Sequence, residues 1–176
     1  GPLKAAWIYP SPSADEGWSK QHDESRQLIQ KQFGDKIKTQ FVENVTTMAD
    51  AERVIRDLAS QGNKIIFATS FEFMNPALKV AKKFPDVKFE HCTGYKTADN
   101  FSYYNARFYQ ARYLAGKLAA SMSKDGHLGY VAAVPIPEVL QGINAYTLGA
   151  QTINPNVKVD VVWTNTWYDP GKEAEM

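Results

Sequence analysis

An α/β protein built on a doubly wound parallel sheet is the fold the sequence predicts, and three observations predict it. Short apolar runs alternate with longer amphipathic segments, the pattern of strands covered on both faces by helices. The alternation repeats four times within roughly the first 100 residues, and parallel strands joined that closely need a helix as crossover. After Met122 the same alternation begins again, so the chain divides into an α/β ligand-binding lobe over 1–122 and the start of a second over 123–176.

Each element follows in order. Ala5 to Tyr9 reads as a buried strand, and the loop Pro10-Ser11-Pro12-Ser13 follows it. A helix is expected from near Gly17 to Phe33, with apolar positions at Trp18, Leu28, Ile29 and Phe33 and Gly34 as its stop. Lys38 to Val45 is the second strand. Asp50 to Gln61 is the second helix, where Ala51, Val54, Ile55 and Leu58 fall on one face. Ile65 to Ala68 is the third strand, Asn75-Pro76 opens a helix that runs to Pro85, and Val87 to Cys92 is the fourth strand. A Tyr- and Ala-rich helix is expected over Asn105 to Met122, with Tyr103, Tyr104, Phe108, Tyr109 and Tyr113 at helical spacing as core and hinge packing. The second lobe opens with a strand over His127 to Ala133, a helix over Pro137 to Ile153 and a strand over Val157 to Thr164. Two strands and one helix are marginal alone, so the remainder of the polypeptide is expected to complete that lobe.

Composition narrows the function. The 20 Lys and Arg nearly cancel the 19 Asp and Glu in a chain of 176 residues, which leaves no basic field to recruit nucleic acid. No segment approaches the roughly 20 apolar residues of a membrane span. Gly1-Pro2 resembles the scar of a cleaved affinity tag, so the lack of a leader says nothing about export. Cys92 is the single cysteine and can form neither an internal disulfide nor a structural zinc site.

Signatures of catalysis and of cofactors are missing. Tyr9-Pro10-Ser11-Pro12 places proline where a dinucleotide would need bare N–H groups, and no Walker or G-x-S-x-G string occurs. His22, His91 and His127 stand in no metal-ligand spacing. No enzyme, cofactor or metal is expected.

The positive signal is aromatic. Ligands of open α/β sheets bind beyond the carboxyl ends of the strands, and the residues found there are Tyr9, Ser11 and Trp18 after the first strand and Ser70, Phe71 and Phe73 after the third. His91, Thr93 and Tyr95 follow at the fourth strand, and Asn165, Trp167 and Tyr168 at the last. Large rings with hydroxyl, amide and imidazole neighbours suit a flat heterocycle, stacked on its face and hydrogen-bonded at its edge. The candidate ligand-binding residues are Trp18, Ser11, Ser70, Phe71, His91, Thr93 and Trp167.

Several strings, in order along nearly the whole chain, resemble one family. They are Gly17-Trp18-Ser19, Ala68-Thr69-Ser70-Phe71, Glu90-His91-Cys92-Thr93-Gly94-Tyr95, Arg112-Tyr113-Leu114-Ala115-Gly116, Gly142 to Ala150 and Trp167 to Glu173. Together they resemble the basic membrane protein family of ABC-transporter substrate-binding proteins, which includes purine-nucleoside receptors. The resemblance implies the periplasmic-binding-protein type I fold, two α/β lobes with the solute held between them, stacking by Trp18 and polar contacts from Ser70, Phe71, His91 and Thr93. It also implies a periplasmic or membrane-anchored extracytoplasmic protein whose partners are a purine and an ABC permease. The nucleoside-binding branch usually carries an acidic residue then Phe-Asn at the first helix and an Asp after the fourth strand. Gly17-Trp18-Ser19 and His91-Cys92-Thr93 depart from that, which favours a free base such as adenine over a nucleoside. The alternatives are an effector-sensing module of a transcription regulator and a purine-processing hydrolase.

Overall fold

The computed structural model describes residues 1–176, which fall into two units, Gly1–Asn105 and Ala106–Met176. The first contains β1 (Leu3–Ile8), α1 (Trp18–Phe33), β2 (Ile37–Val42), α2 (Met48–Ser60), β3 (Ile65–Ala68), α3 (Met74–Ala81), β4 (Lys88–Cys92) and β5 (Phe101–Tyr104). The strands form one parallel sheet in the order β2-β1-β3-β4-β5. The order turns back beside β1, as in doubly wound folds whose ligands bind at the strand carboxyl ends.

Alternation along β1 explains how the sheet is covered. Ala6 and Ile8 point to one face, where they join Ile66, Ala68 and Phe89 against Val54, Ile55 and Leu58 of α2 and Ala77 and Val80 of α3. Ala5, Trp7 and Tyr9 point to the other, with Ile29 of α1 and with Phe67, whose ring stacks on Trp7 at 4.4 Å. Both faces are therefore dry, and a buried Ile or Phe contributes about 1.5–3 kcal/mol by leaving water.

The helix signals act where the spacing places them. Thr47 caps α2 by accepting from the Asp50 amide, and Gly34 and Gly62 take positive φ just past α1 and α2. Strand and helix ends differ from the expected ones by a few residues. Three departures are larger.

First, two of the four expected apolar positions of α1 do not seat it, since Leu28 is 65% exposed and Phe33 49%, and Ile29 is the one that packs on the sheet. Ser19 and Asp23 are the buried positions, because Asp23 accepts from Tyr9 Oη at 3.0 Å, Arg26 Nε at 2.6 Å and Gln27 Nε2 at 2.7 Å. Second, Tyr103 and Tyr104 lie on β5, an edge strand absent from the sequence reading, and not on a helix. Third, the units divide between Asn105 and Ala106, not after Met122.

The second unit shows why its first helix belongs there. It contains α4 (Phe108–Met122), β6 (His127–Ala132), α5 (Pro137–Gln151), β7 (Lys158–Trp163) and the short α6 (Pro170–Glu175), with β6 and β7 parallel. A Cβ on Gly116 of α4 would collide with the Tyr146 carbonyl of α5, and one on Gly149 of α5 with the Tyr113 carbonyl of α4. Two glycines thus let the helix backbones touch, a tighter approach than side chains of ordinary size permit. Ala120, Leu128, Ala150 and Val157 form the core beneath them. No helix in either unit is long and apolar enough to cross a membrane.

Candidate functional site

The loops at the carboxyl ends of β1, β3 and β4 gather six of the seven expected residues in the first unit. The β1 loop is organised by Asp15, a residue the sequence reading passed over. Its buried carboxylate accepts from the amides of Gly17 at 3.0 Å, Ser19 at 3.2 Å and Lys20 at 2.9 Å and from Ser11 Oγ at 2.6 Å. These amides are the ones left unpaired by the first turn of α1. Burial alone would raise this carboxyl, but the bonds from Ser11, Lys20, Gly17 and Ser19 outweigh it and hold it below its ordinary range. Ser11 also lies 2.5 Å from Ser19 Oγ, so its hydroxyl is engaged within the protein.

That turn delivers Trp18 to the site. Its indole N–H donates to the Thr69 carbonyl at 2.6 Å, which fixes the plane of a half-buried ring. His22, one turn further along α1, lies 5.0 Å from Trp18 centre to centre. Burial pushes His22 down to about 4 against the opposing field of Asp15, so it is neutral at physiological pH.

The β3 loop passes straight into a 3₁₀ turn over Phe71–Phe73. Ser70 is buried, and its carbonyl accepts from the Phe73 amide at 3.1 Å and from His91 Nε2 at 2.7 Å. Phe71 is half-buried with its ring 6.5 Å from that of Tyr95, and Tyr95 is 66% exposed. Tyr9 and Phe73 are core residues with no exposed surface.

At β4, His91 is itself fully buried. Thr93 follows with φ at +72°, an unusual conformation for a β-branched residue, and its amide donates to the Tyr104 carbonyl at 2.9 Å. Strained backbone of this kind persists where its surroundings over-determine it, and it clusters at ligand sites. Trp167, the seventh residue, stands in the second unit beyond β7, 37% exposed. No three His, Cys, Asp or Glu side chains converge as metal ligands would.

The doubly wound parallel sheet of the first unit, followed by a second βαβ unit, is the architecture of the periplasmic-binding-protein type I fold, and solved solute-binding proteins share it. The profile of Bmp, described as ABC transporter substrate-binding protein PnrA-like, matches residues 3–176. The chain belongs to that family. A purine-binding protein of Brucella abortus (strain 2308) is 59% identical over 173 residues, which are 98% of this chain and 49% of that protein. A putative ABC transporter glucose-binding protein of Haloferax volcanii is 43% identical over 98% of this chain and 44% of its own length. The solute-binding protein of Aeropyrum pernix K1 shares the fold at a TM-score of 0.85, 20% identity, 97% of this chain and 50% of that one. The chain spans about half the length of these relatives.

Proposed function

We propose that this chain is the ligand-binding part of an extracytoplasmic solute receptor that delivers a purine, adenine first, to an ABC permease and does no chemistry on it. The observation that carries the reading is the Trp18 indole, half-open and locked to Thr69 at 2.6 Å beside Ser70, Phe71 and Thr93. A fixed indole offers its face to a flat ring at little entropic cost. The side-chain hydroxyls of Ser70 and Thr93 in the neighbouring loops suit the donors and acceptors on a purine edge. The name of the Brucella relative, a purine-binding protein, points the same way.

Charge narrows the ligand. The amides at the start of α1, where an anion would be held, are occupied by the Asp15 carboxylate, and His22 is uncharged. A neutral base therefore fits better than a nucleotide.

Calorimetry of the intact protein with adenine, guanine, adenosine, guanosine and glucose tests this. Heat with adenine exceeding that with the nucleosides supports the assignment; heat with glucose alone, or with none of the five, removes it. Conversion of any purine on incubation would make the protein an enzyme.

A further inference from the structure

We infer that His91 is a positioning residue for the solute site, acting through the Ser70 carbonyl without touching the solute. The inference rests on the proposed site and explains how its β3 loop is held. A carbonyl can only accept, so the 2.7 Å contact between His91 Nε2 and Ser70 O fixes the proton on Nε2 and leaves Nδ1 bare. Nδ1 is buried and has no hydrogen-bond partner within the protein. It faces the backbone of Gly94, where an added Cβ would strike the imidazole, so the ring is wedged with its one donor aimed at the loop.

The neighbouring carbonyl is held in the same manner. Thr69 O takes the Trp18 indole N–H from α1, and Ser70 O takes the His91 imidazole N–H from β4. Two aromatic N–H donors from opposite sides thus pin successive carbonyls of the loop that carries Phe71. Removal of the indole takes the side-chain donor from Thr69 O, and removal of the imidazole leaves Ser70 O with the Phe73 amide alone, so either change loosens the loop.

The neutral ring is essential to this device. A second proton would sit on Nδ1, against Gly94. Burial lowers the basicity of His91, outweighing the backbone at Ser70 and Phe71 and the charge of Glu72, which act in the opposite sense. Glu72 is the charged group that reaches the ring from the 3₁₀ turn. From β5 the neighbour is the Phe101 ring, 6.0 Å away, and across Gly94 lies the Met74 sulfur; neither is ionisable. The site therefore keeps its shape at neutral pH and loses it only when acid forces a proton onto His91, below the ordinary imidazole range.

The test compares the intact wild type with His91→Gln, whose amide N–H can reach Ser70 O, and with His91→Ala. Adenine affinity is measured by calorimetry from pH 7.5 downward, and the His91 ring is followed by ¹⁵N NMR together with amide exchange at Phe73. The expected result has three parts: an Nε2–H tautomer in the wild type, adenine binding weakened at least tenfold in His91→Ala with faster exchange at Phe73, and recovery to within about threefold of wild type in His91→Gln, without the acid-side loss. An Nδ1–H tautomer, or a folded His91→Ala that binds adenine like wild type, overturns the inference. If the wild type binds no purine, the ligand assignment falls, and the tautomer with Phe73 exchange in His91→Ala against His91→Gln still decides the positioning role.

Discussion

The indole N–H of Trp18 donates to the carbonyl of Thr69 across 51 residues of chain, at 2.6 Å. One contact joins the first turn of α1 to the loop after β3. The Trp18 ring and the β3 loop are thereby set in a fixed relation, which in the proposed site reduces the ordering cost of binding.

Trp18→Phe separates the ring from its tether. Phenylalanine keeps an aromatic face but has no donor for Thr69, so adenine affinity is expected to fall about fivefold to tenfold, in line with roughly 1 kcal/mol for one hydrogen bond. Calorimetry measures the affinity, and circular dichroism confirms that the fold is kept.

Asp15 gives a pH dependence whose sign follows from its depressed folded-state value. The stability it contributes is present above the ordinary aspartate value of about 3.9 and is lost as pH falls toward the lower folded-state value. Asp23 acts in the same direction: burial raises it, but the bonds from Arg26, Gln27 and Tyr9 prevail. Denaturant titrations at pH 7 and below pH 4 are expected to show a smaller acid loss in Asp15→Asn than in wild type, because the amide keeps an acceptor but no titrating charge.

Tyr9→Phe removes the phenolic donor to Asp23, 3.0 Å away in a buried setting, while Arg26 and Gln27 remain. A loss of about 1.5–3 kcal/mol is expected for a bond to a charged group. The midpoint of urea unfolding reads it directly.

Gly149→Ala places a methyl against the Tyr113 carbonyl, which is backbone and cannot rotate away. The α4–α5 pair must part, at a cost of about 1–3 kcal/mol for overpacking. A lower Tm is expected, whereas Gly129→Ala, whose added methyl meets nothing within 4 Å, should leave it nearly unchanged.

These residues also show what could be read from the chain. Three of the four expected βα repeats were legible because Ile65 to Ala68 and the Ala51, Val54, Ile55, Leu58 face carry their periods locally, whereas β4 passes to β5 with no helix between them. Trp18, Ser70, Phe71 and Thr93 were legible as positions after strands. Phe101 to Tyr104 was not, since its tyrosines continue into a helix at helical spacing, and only pairing with β4 makes it a strand. Asp15 looked like one polar residue in a polar loop, and its burial comes from three amides that converge only when α1 begins at Trp18. The unit boundary after Asn105 depends on glycine contacts between α4 and α5, Gly116 with Tyr146 and Gly149 with Tyr113, which are distant in sequence.

The central claim is that a flat solute lies against the Trp18 indole, and Trp18→Ala in the intact protein tests it most directly. Calorimetry with adenine is expected to show affinity reduced by a factor of at least ten, with the fold retained by circular dichroism. An affinity equal to that of the wild type in a folded Trp18→Ala protein would contradict the account.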